Sequence, residues 1–224
     1  MNGALAIFVK TPGHSAVKSR LAADCGVRYA QDWYRHAAAA VAAVARDTQA
    51  RFGTIAYWAV AESDALHAWP GLPVIAQGDG GLGERMARVH AQLVQRHGFG
   101  ILIGADAPQL SAESLGQACE WLSSESPRLA LGPAHDGGFW LFGANIAPPL
   151  EAWTAVAYSA SDTARDLRAA MHDLGAWRTL TAMADADHAR DLPAVLDALE
   201  MLSEPTTEQC ALAHWMREQV RQHA

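Results

Sequence analysis

Ile101-Leu102-Ile103-Gly104-Ala105-Asp106-Ala107-Pro108 is the stretch that decides the fold. Three large apolar residues in a row show no polar alternation. Both faces of such a strand must be covered, as in the middle of a parallel sheet with helices on either side. The run breaks at Gly104 and Pro108, with a carboxylate between them. A carboxylate at the end of a buried strand is costly unless it is paired or metal-bound. Ligands of open α/β sheets gather beyond the carboxyl ends of the strands. Asp106 is therefore a candidate ligand for a hard cation such as Mg²⁺ or Mn²⁺, which prefers oxygen donors; the alternative is a turn or helix cap.

Working outward, Ala4–Val9 reads as a buried strand, Thr54–Val60 as a second, Val74–Ala76 as a short third. Leu129–Leu131, Phe139–Phe142 and Trp177–Leu180 add three more. Between them lie helical stretches. Tyr29–Arg51 is alanine-rich and free of glycine and proline, which favours helix because alanine loses no side-chain entropy there. Leu82, Met86, Val89 and Leu93 recur at helical spacing over 82–97, and Ser111 is placed to cap a helix over 112–124. Residues 162–174, 190–202 and 206–222 also read as helices. Strands alternating with helices predict an α/β protein, a three-layer α/β/α arrangement on a mainly parallel sheet. No repeat, linker or composition shift divides the chain, so residues 1–224 read as one domain.

Composition removes several function classes. The net charge is −7, and only two lysines are present, Lys10 and Lys18. A nucleic-acid surface needs clustered cations, so no nucleic-acid partner is expected. Cys25, Cys119 and Cys210 are far apart and odd in number, against a disulfide framework or a zinc site. No stretch is apolar enough to span a bilayer, and the Ala4–Val9 run lacks the flanks of a signal peptide. A cytoplasmic location with no membrane partner follows as the expectation.

The loops after the strands carry the candidate chemistry. Lys10-Thr-Pro-Gly-His-Ser-Ala-Val-Lys18-Ser-Arg20 holds both lysines of the chain among small residues, suiting a di- or triphosphate. Gln77-Gly-Asp-Gly-Gly-Leu-Gly-Glu-Arg85 contains a literal GxGxxG at 78–83, but Asp106 lies too far beyond it to be the acid found ~20 residues on in a dinucleotide site. The glycines still let a ligand approach the backbone closely. His135-Asp136-Gly137-Gly138 reads equally as a hairpin turn or a ligand loop. Asp185-Ala-Asp187 and Asp191 precede a helix, where capping is the default reading.

Taken in order, these segments resemble a bacterial family of GT-A-fold, nucleotide-diphospho-sugar transferase-like proteins, some labelled glycosyltransferases of arsenosugar biosynthesis. The likeness runs over roughly residues 4–192; the helix from Thr206 lies outside it. The Ala16-Val-Lys-Ser-Arg-Leu21 segment is also similar to the nucleotide loop of phospholactate guanylyltransferase. The resemblance implies a metal-dependent glycosyltransferase using a nucleotide-diphospho-sugar and a small-molecule acceptor. The alternatives are a nucleotidyltransferase joining an NTP to a phosphorylated small molecule with release of pyrophosphate, and a nucleotide-binding protein without turnover. It implies that Lys10, Lys18 and Arg20 hold phosphates, and that Gln77, Gly81, Leu82 and Gly83 lie against the nucleotide. It further implies that Asp106 and Asp187 hold Mg²⁺ or Mn²⁺, and that Asp136 is the base. Where the family tends to have a tyrosine after the double glycine this chain has Phe139, and Tyr158-Ser159 stands where Trp-Ser is usual.

Overall fold

The computed structural model describes residues 3–223, so Met1, Asn2 and Ala224 of the expected 1–224 unit lie outside it. Seven strands form one sheet: β1 (Ala4–Val9), β2 (Ile55–Val60), β3 (Val74–Ala76), β4 (Gly100–Gly104), β5 (Arg128–Pro133), β6 (Phe139–Ala144) and β7 (Ala176–Thr179). Their spatial order is β3-β2-β1-β4-β6-β5-β7. β1 pairs in parallel with β2 and β4, β2 with β3, and β5 with β7; β6 alone runs antiparallel to its neighbours. The uniformly apolar β4 holds the middle of the sheet, as its composition predicts.

The strand pleat distributes the core between two helical layers. Leu5, Ile7, Val9, Ile101 and Ile103 join one apolar cluster, whereas Ala4, Ala6 and Leu102 join the other. The first layer contains α1 (Ser19–Cys25), α2 (Val27–Phe52) and α4 (Ala112–Leu122). It is completed by α7 (Leu192–Glu200) and α8 (Thr207–His223). The second contains α3 (Leu82–His97), α5 (Leu150–Thr154) and α6 (Thr163–Ala170). Alternation of side chains across a strand makes this division automatic. The 26-residue α2 buries Ala37, Ala38, Ala40 and Ala42, small side chains that permit close approach to its neighbours. It ends where Gly53 adopts a left-handed conformation and donates to the Gln49 carbonyl. Ser111 caps α4 by accepting from the Ser114 N–H at 3.1 Å, as its sequence position predicts.

Three differences from the sequence reading are local. α1 and α5 are short helices that no long apolar period announces. The expected helix over 162–174 stops at Ala170 and continues as a 3₁₀ turn over His172–Leu174. α8 packs on α2 and is joined to the site side by Gln209, whose amide donates to the carbonyls of Pro108 and Leu110 at 2.7 Å each. Among the described residues no helix is long and apolar enough to cross a membrane.

Candidate active site

The carboxyl ends of β1 and β4 open into a cleft of about 670 Å³. It is lined by the loop after β1, Tyr34 of α2, the turn into α3, the end of β4, the β5–β6 hairpin, residues 159–161 and the extended stretch before α7. Lys10, Lys18, Arg20, Gln77, Leu82, Asp106, Asp136 and Asp187 all line it. Gly81 and Gly83 do not. Gly81 instead starts α3, its N–H donating to Glu84 Oε2 at 2.6 Å. At Gly83 a Cβ would come within 2.7 Å of the Trp153 carbonyl and 2.9 Å of the Tyr158 ring, so this glycine lets α3 pack against the segment from α5 to Tyr158. The Gln77 amide is engaged between strands, donating to Ala59 O at 2.8 Å and Val9 O at 3.2 Å.

Lys18 is the centre of the cluster. Its Nζ lies 2.7 Å from Asp106 Oδ2 and 3.0 Å from Asp187 Oδ1, and its side chain is only 6% exposed. Burial by itself would lower the ammonium's pKa. The charges of Asp106 and Asp187, with their hydrogen bonds, outweigh that and hold it well above the ordinary lysine value. The backbone of Lys18 is left-handed, φ 45°, a conformation that costs a non-glycine residue about 1–3 kcal/mol and persists where surroundings over-determine it. The two carboxylates supply that constraint. Arg20 Nη1 adds a 2.6 Å contact to Asp187 Oδ2. Asp187 is buried enough to raise its pKa, yet Lys18 and Arg20 bring it below the usual carboxylate value.

The Asp187 segment is itself held from α1. Asp24 Oδ2 accepts from the Ala189 N–H at 3.0 Å and lies 3.1 Å from His188 Nδ1. Asp191 Oδ2 accepts from the His188 N–H at 2.7 Å and the Asp187 N–H at 3.2 Å. Asp191 thus serves the capping role its sequence position suggests, while Asp187 turns into the cleft.

Asp185, which the sequence reading left outside the site, also lines the cleft. Burial, then the charge of Asp106 and those of Asp136 and Asp187, push its pKa up to about 7, Lys18 opposing them. The available signal was the Asp-x-Asp spacing. In extended chain residues i and i+2 share a side, and the intervening Ala186 is fully buried. Among the described residues no three acidic, histidine or cysteine side chains are already arranged to hold a metal ion. The donor chemistry nevertheless fits a hard cation. Asp106 and Asp187 present carboxylate oxygens to one point, and Asp185 shows more negative charge than Lys18 alone offsets.

The β5–β6 turn is both things its sequence allowed. It is a hairpin turn, closed by Ala134 N–H to Gly138 O at 2.9 Å and Gly137 N–H to Ala134 O at 3.1 Å. It also lies on the cleft through Asp136. Asp136 Oδ1 accepts from the Gly138 N–H at 2.8 Å, fixing the carboxylate. Gly137 has φ 91° and sits against the Ser161 carbonyl, where any Cβ would collide. Its own carbonyl accepts from Ala164 N–H at 2.9 Å, so turn and α6 are joined. Behind Asp136 a second, apolar pocket of about 210 Å³ adjoins the cleft.

Comparison with known proteins places this architecture. A proposed nucleotide-diphospho-sugar transferase from Desulfovibrio desulfuricans G20 has the same fold, with a TM-score of 0.83 and 24% identity over 99% of this chain and 98% of that one. A more distant likeness is to CMP:2-keto-3-deoxy-manno-octonic acid synthetase complexed with CTP. Its TM-score is 0.50 at 13% identity, over 90% of this chain and 100% of that one. Among curated proteins nothing matches the chain. The fold is thus the GT-A type that the ordered motifs implied, three-layered on a mainly parallel sheet. A family model matches residues 37–160, more than half of the chain, and the protein belongs to that family, described as "Uncharacterized protein conserved in bacteria (DUF2064)".

Proposed function

We propose that the protein is a metal-dependent glycosyltransferase that takes a nucleotide-diphospho-sugar donor and a small-molecule acceptor. The observation that carries this reading is the cleft into which four separate segments bring Lys10, Lys18, Arg20, Asp106, Asp136 and Asp187. Cations line it together with Asp106 and Asp187, and a fixed carboxylate, Asp136, also lines the adjoining apolar pocket. Lys18 and Arg20 bind the diphosphate. Asp106 and Asp187 are the residues that would hold Mg²⁺ or Mn²⁺, which when bound supplies further positive charge to the leaving group. Asp136 accepts the proton of the acceptor hydroxyl as its oxygen bonds to the anomeric carbon. The bond from that carbon to the diphosphate breaks, its electron pair leaving with the nucleoside diphosphate.

The second reading is nucleotidyl transfer from an NTP to a phosphorylated small molecule. It is favoured by the Ala16–Leu21 segment and by the fold shared with a CTP-bound synthetase. A thermal-shift panel separates the two. UDP-, GDP-, CDP- and dTDP-sugars are compared with NTPs, each with and without Mn²⁺ or Mg²⁺. A ligand at 100 times its Kd stabilises the fold by about 2.7 kcal/mol. Metal-dependent stabilisation by one nucleotide sugar is the expected result. Stabilisation by an NTP alone transfers the assignment to nucleotidyl transfer, and binding without turnover of any acceptor marks a nucleotide-binding protein. Asp106→Ala should abolish the metal dependence; if it binds metal and nucleotide as wild type does, Asp106 has no metal role.

A further inference from the structure

Asp136 lies on the wall shared by the polar cleft and the smaller apolar pocket. At ~30 Å³ per water-sized group, a pocket of about 210 Å³ has room for about seven heavy atoms. Phe8, Met86, Leu102, Phe139 and Tyr158 are among the large apolar side chains that line it. Of the three hydroxyl side chains on its lining, Ser159 also borders the cleft, and the other two are already committed. Tyr158 donates to the Trp153 carbonyl at 2.8 Å, and Thr163 lies 2.7 Å from Ala160 O and 2.9 Å from Ala157 O.

The charge pattern is one-sided. Among the described residues no lysine, arginine or histidine lines the pocket, and its sole charged side chain is Asp136. Lys10, Lys18 and Arg20 line only the neighbouring cleft. A phosphate or carboxylate in the pocket would lose its water, gain no counter-charge and face the Asp136 carboxylate, all of which disfavour it. A neutral ring or short aliphatic group loses nothing comparable and buries apolar surface.

We propose that this pocket is the acceptor subsite and that it selects an uncharged or cationic hydroxyl compound with a compact apolar body, excluding phosphorylated acceptors. The word acceptor rests on the glycosyltransferase reading. The chemistry of the pocket does not, and the two fail separately. An acceptor whose apolar part fills the pocket presents its hydroxyl at the pocket mouth, where Asp136 takes the proton.

The probes are benzyl alcohol and benzyl phosphate, which share a ring and differ in charge. Each is titrated into the full chain labelled at its methionine methyl groups, with and without a nucleotide sugar, and the Met86 methyl resonance is followed by NMR. Benzyl alcohol should bind in the millimolar range and move that resonance, as is ordinary for so small a ligand. Benzyl phosphate should bind at least about tenfold more weakly. Ala160 is exposed and lines the pocket, so Ala160→Arg adds a cation without disturbing the core and should reverse the preference. The proposal is overturned if benzyl phosphate binds wild type as well as the alcohol does. Alcohol binding that leaves Met86 unmoved, or no alcohol binding at millimolar concentration, overturns it equally. If no nucleotide binds while the Met86 response and charge preference persist, the pocket's selectivity stands and the transferase reading falls. If a nucleotide sugar binds and the phosphate is preferred, the reverse holds.

Discussion

Replacing Lys18 by methionine keeps the unbranched shape of the side chain, one atom shorter, and removes its charge. In the folded protein this deletes contacts of 2.7 Å to Asp106 and 3.0 Å to Asp187. Breaking a fully buried ion pair costs about 3–5 kcal/mol, because the remaining charge is stranded. Here the ammonium is buried, but the side chains of Asp106 and Asp187 are 37% and 34% exposed, and Asp187 retains Arg20. Water and Arg20 therefore recover part of the loss, leaving a cost of about 1–3 kcal/mol. For a chain of this size that corresponds to a fall in Tm of roughly 2–12 °C. The same substitution frees two carboxylates that the ammonium now bridges. Added Mn²⁺ should consequently stabilise Lys18→Met more than wild type in the absence of nucleotide, while nucleotide-sugar binding weakens. Differential scanning calorimetry with and without Mn²⁺ reads both effects. A variant as stable as wild type, with the same Mn²⁺ response, would refute the placement of Lys18 as the internal counter-ion of Asp106 and Asp187.

Asp136→Asn keeps an oxygen for the Gly138 N–H but cannot take a proton; donor binding should hold while turnover falls by about 10²–10⁴-fold, and unchanged turnover in a steady-state assay would remove Asp136 as the base. Gly137→Ala forces φ 91° on an alanine and drives its Cβ into the Ser161 carbonyl; urea denaturation should show a loss of at least about 1 kcal/mol, whereas wild-type stability would mean the turn relaxes freely. His90 is fully buried, and burial outweighs its bond to the Gly100 carbonyl, so its pKa is pushed down to about 4. The unfolded chain then takes up the proton first as pH falls, so the contribution is complete above pH ~6.5 and is lost toward pH ~4. By pH 5 it should cost about 2 kcal/mol, and denaturation of His90→Phe at pH 7 and pH 5 should lack that component; an identical acid sensitivity in the variant would assign it elsewhere.

The sequence by itself determined what depends on local periodicity and on the ends of buried runs. Ile101-Leu102-Ile103 reads as the best candidate for a doubly covered central strand, and it is the middle of the sheet. Ser111 could cap its helix because capping is a contact between near neighbours in the chain. Lys18, Arg20, Asp106 and Asp136 were legible as candidates because each follows a strand, and the topology of a parallel sheet sends all such loops to one edge. The short helices α1 and α5 were not legible, since so few residues carry no readable period and gain their stability from packing. Nor was the fate of the glycines in the turn before α3. Whether a glycine meets a ligand or another helix depends on what lies opposite, and opposite Gly83 are Trp153 and Tyr158. Only the tertiary structure placed Lys18 between Asp106 and Asp187, residues from the middle and the end of the chain. It alone drew Asp185 into the cleft and set an uncharged pocket behind Asp136. Charge balance and pocket shape arise from side chains far apart in sequence, and no local pattern encodes their meeting.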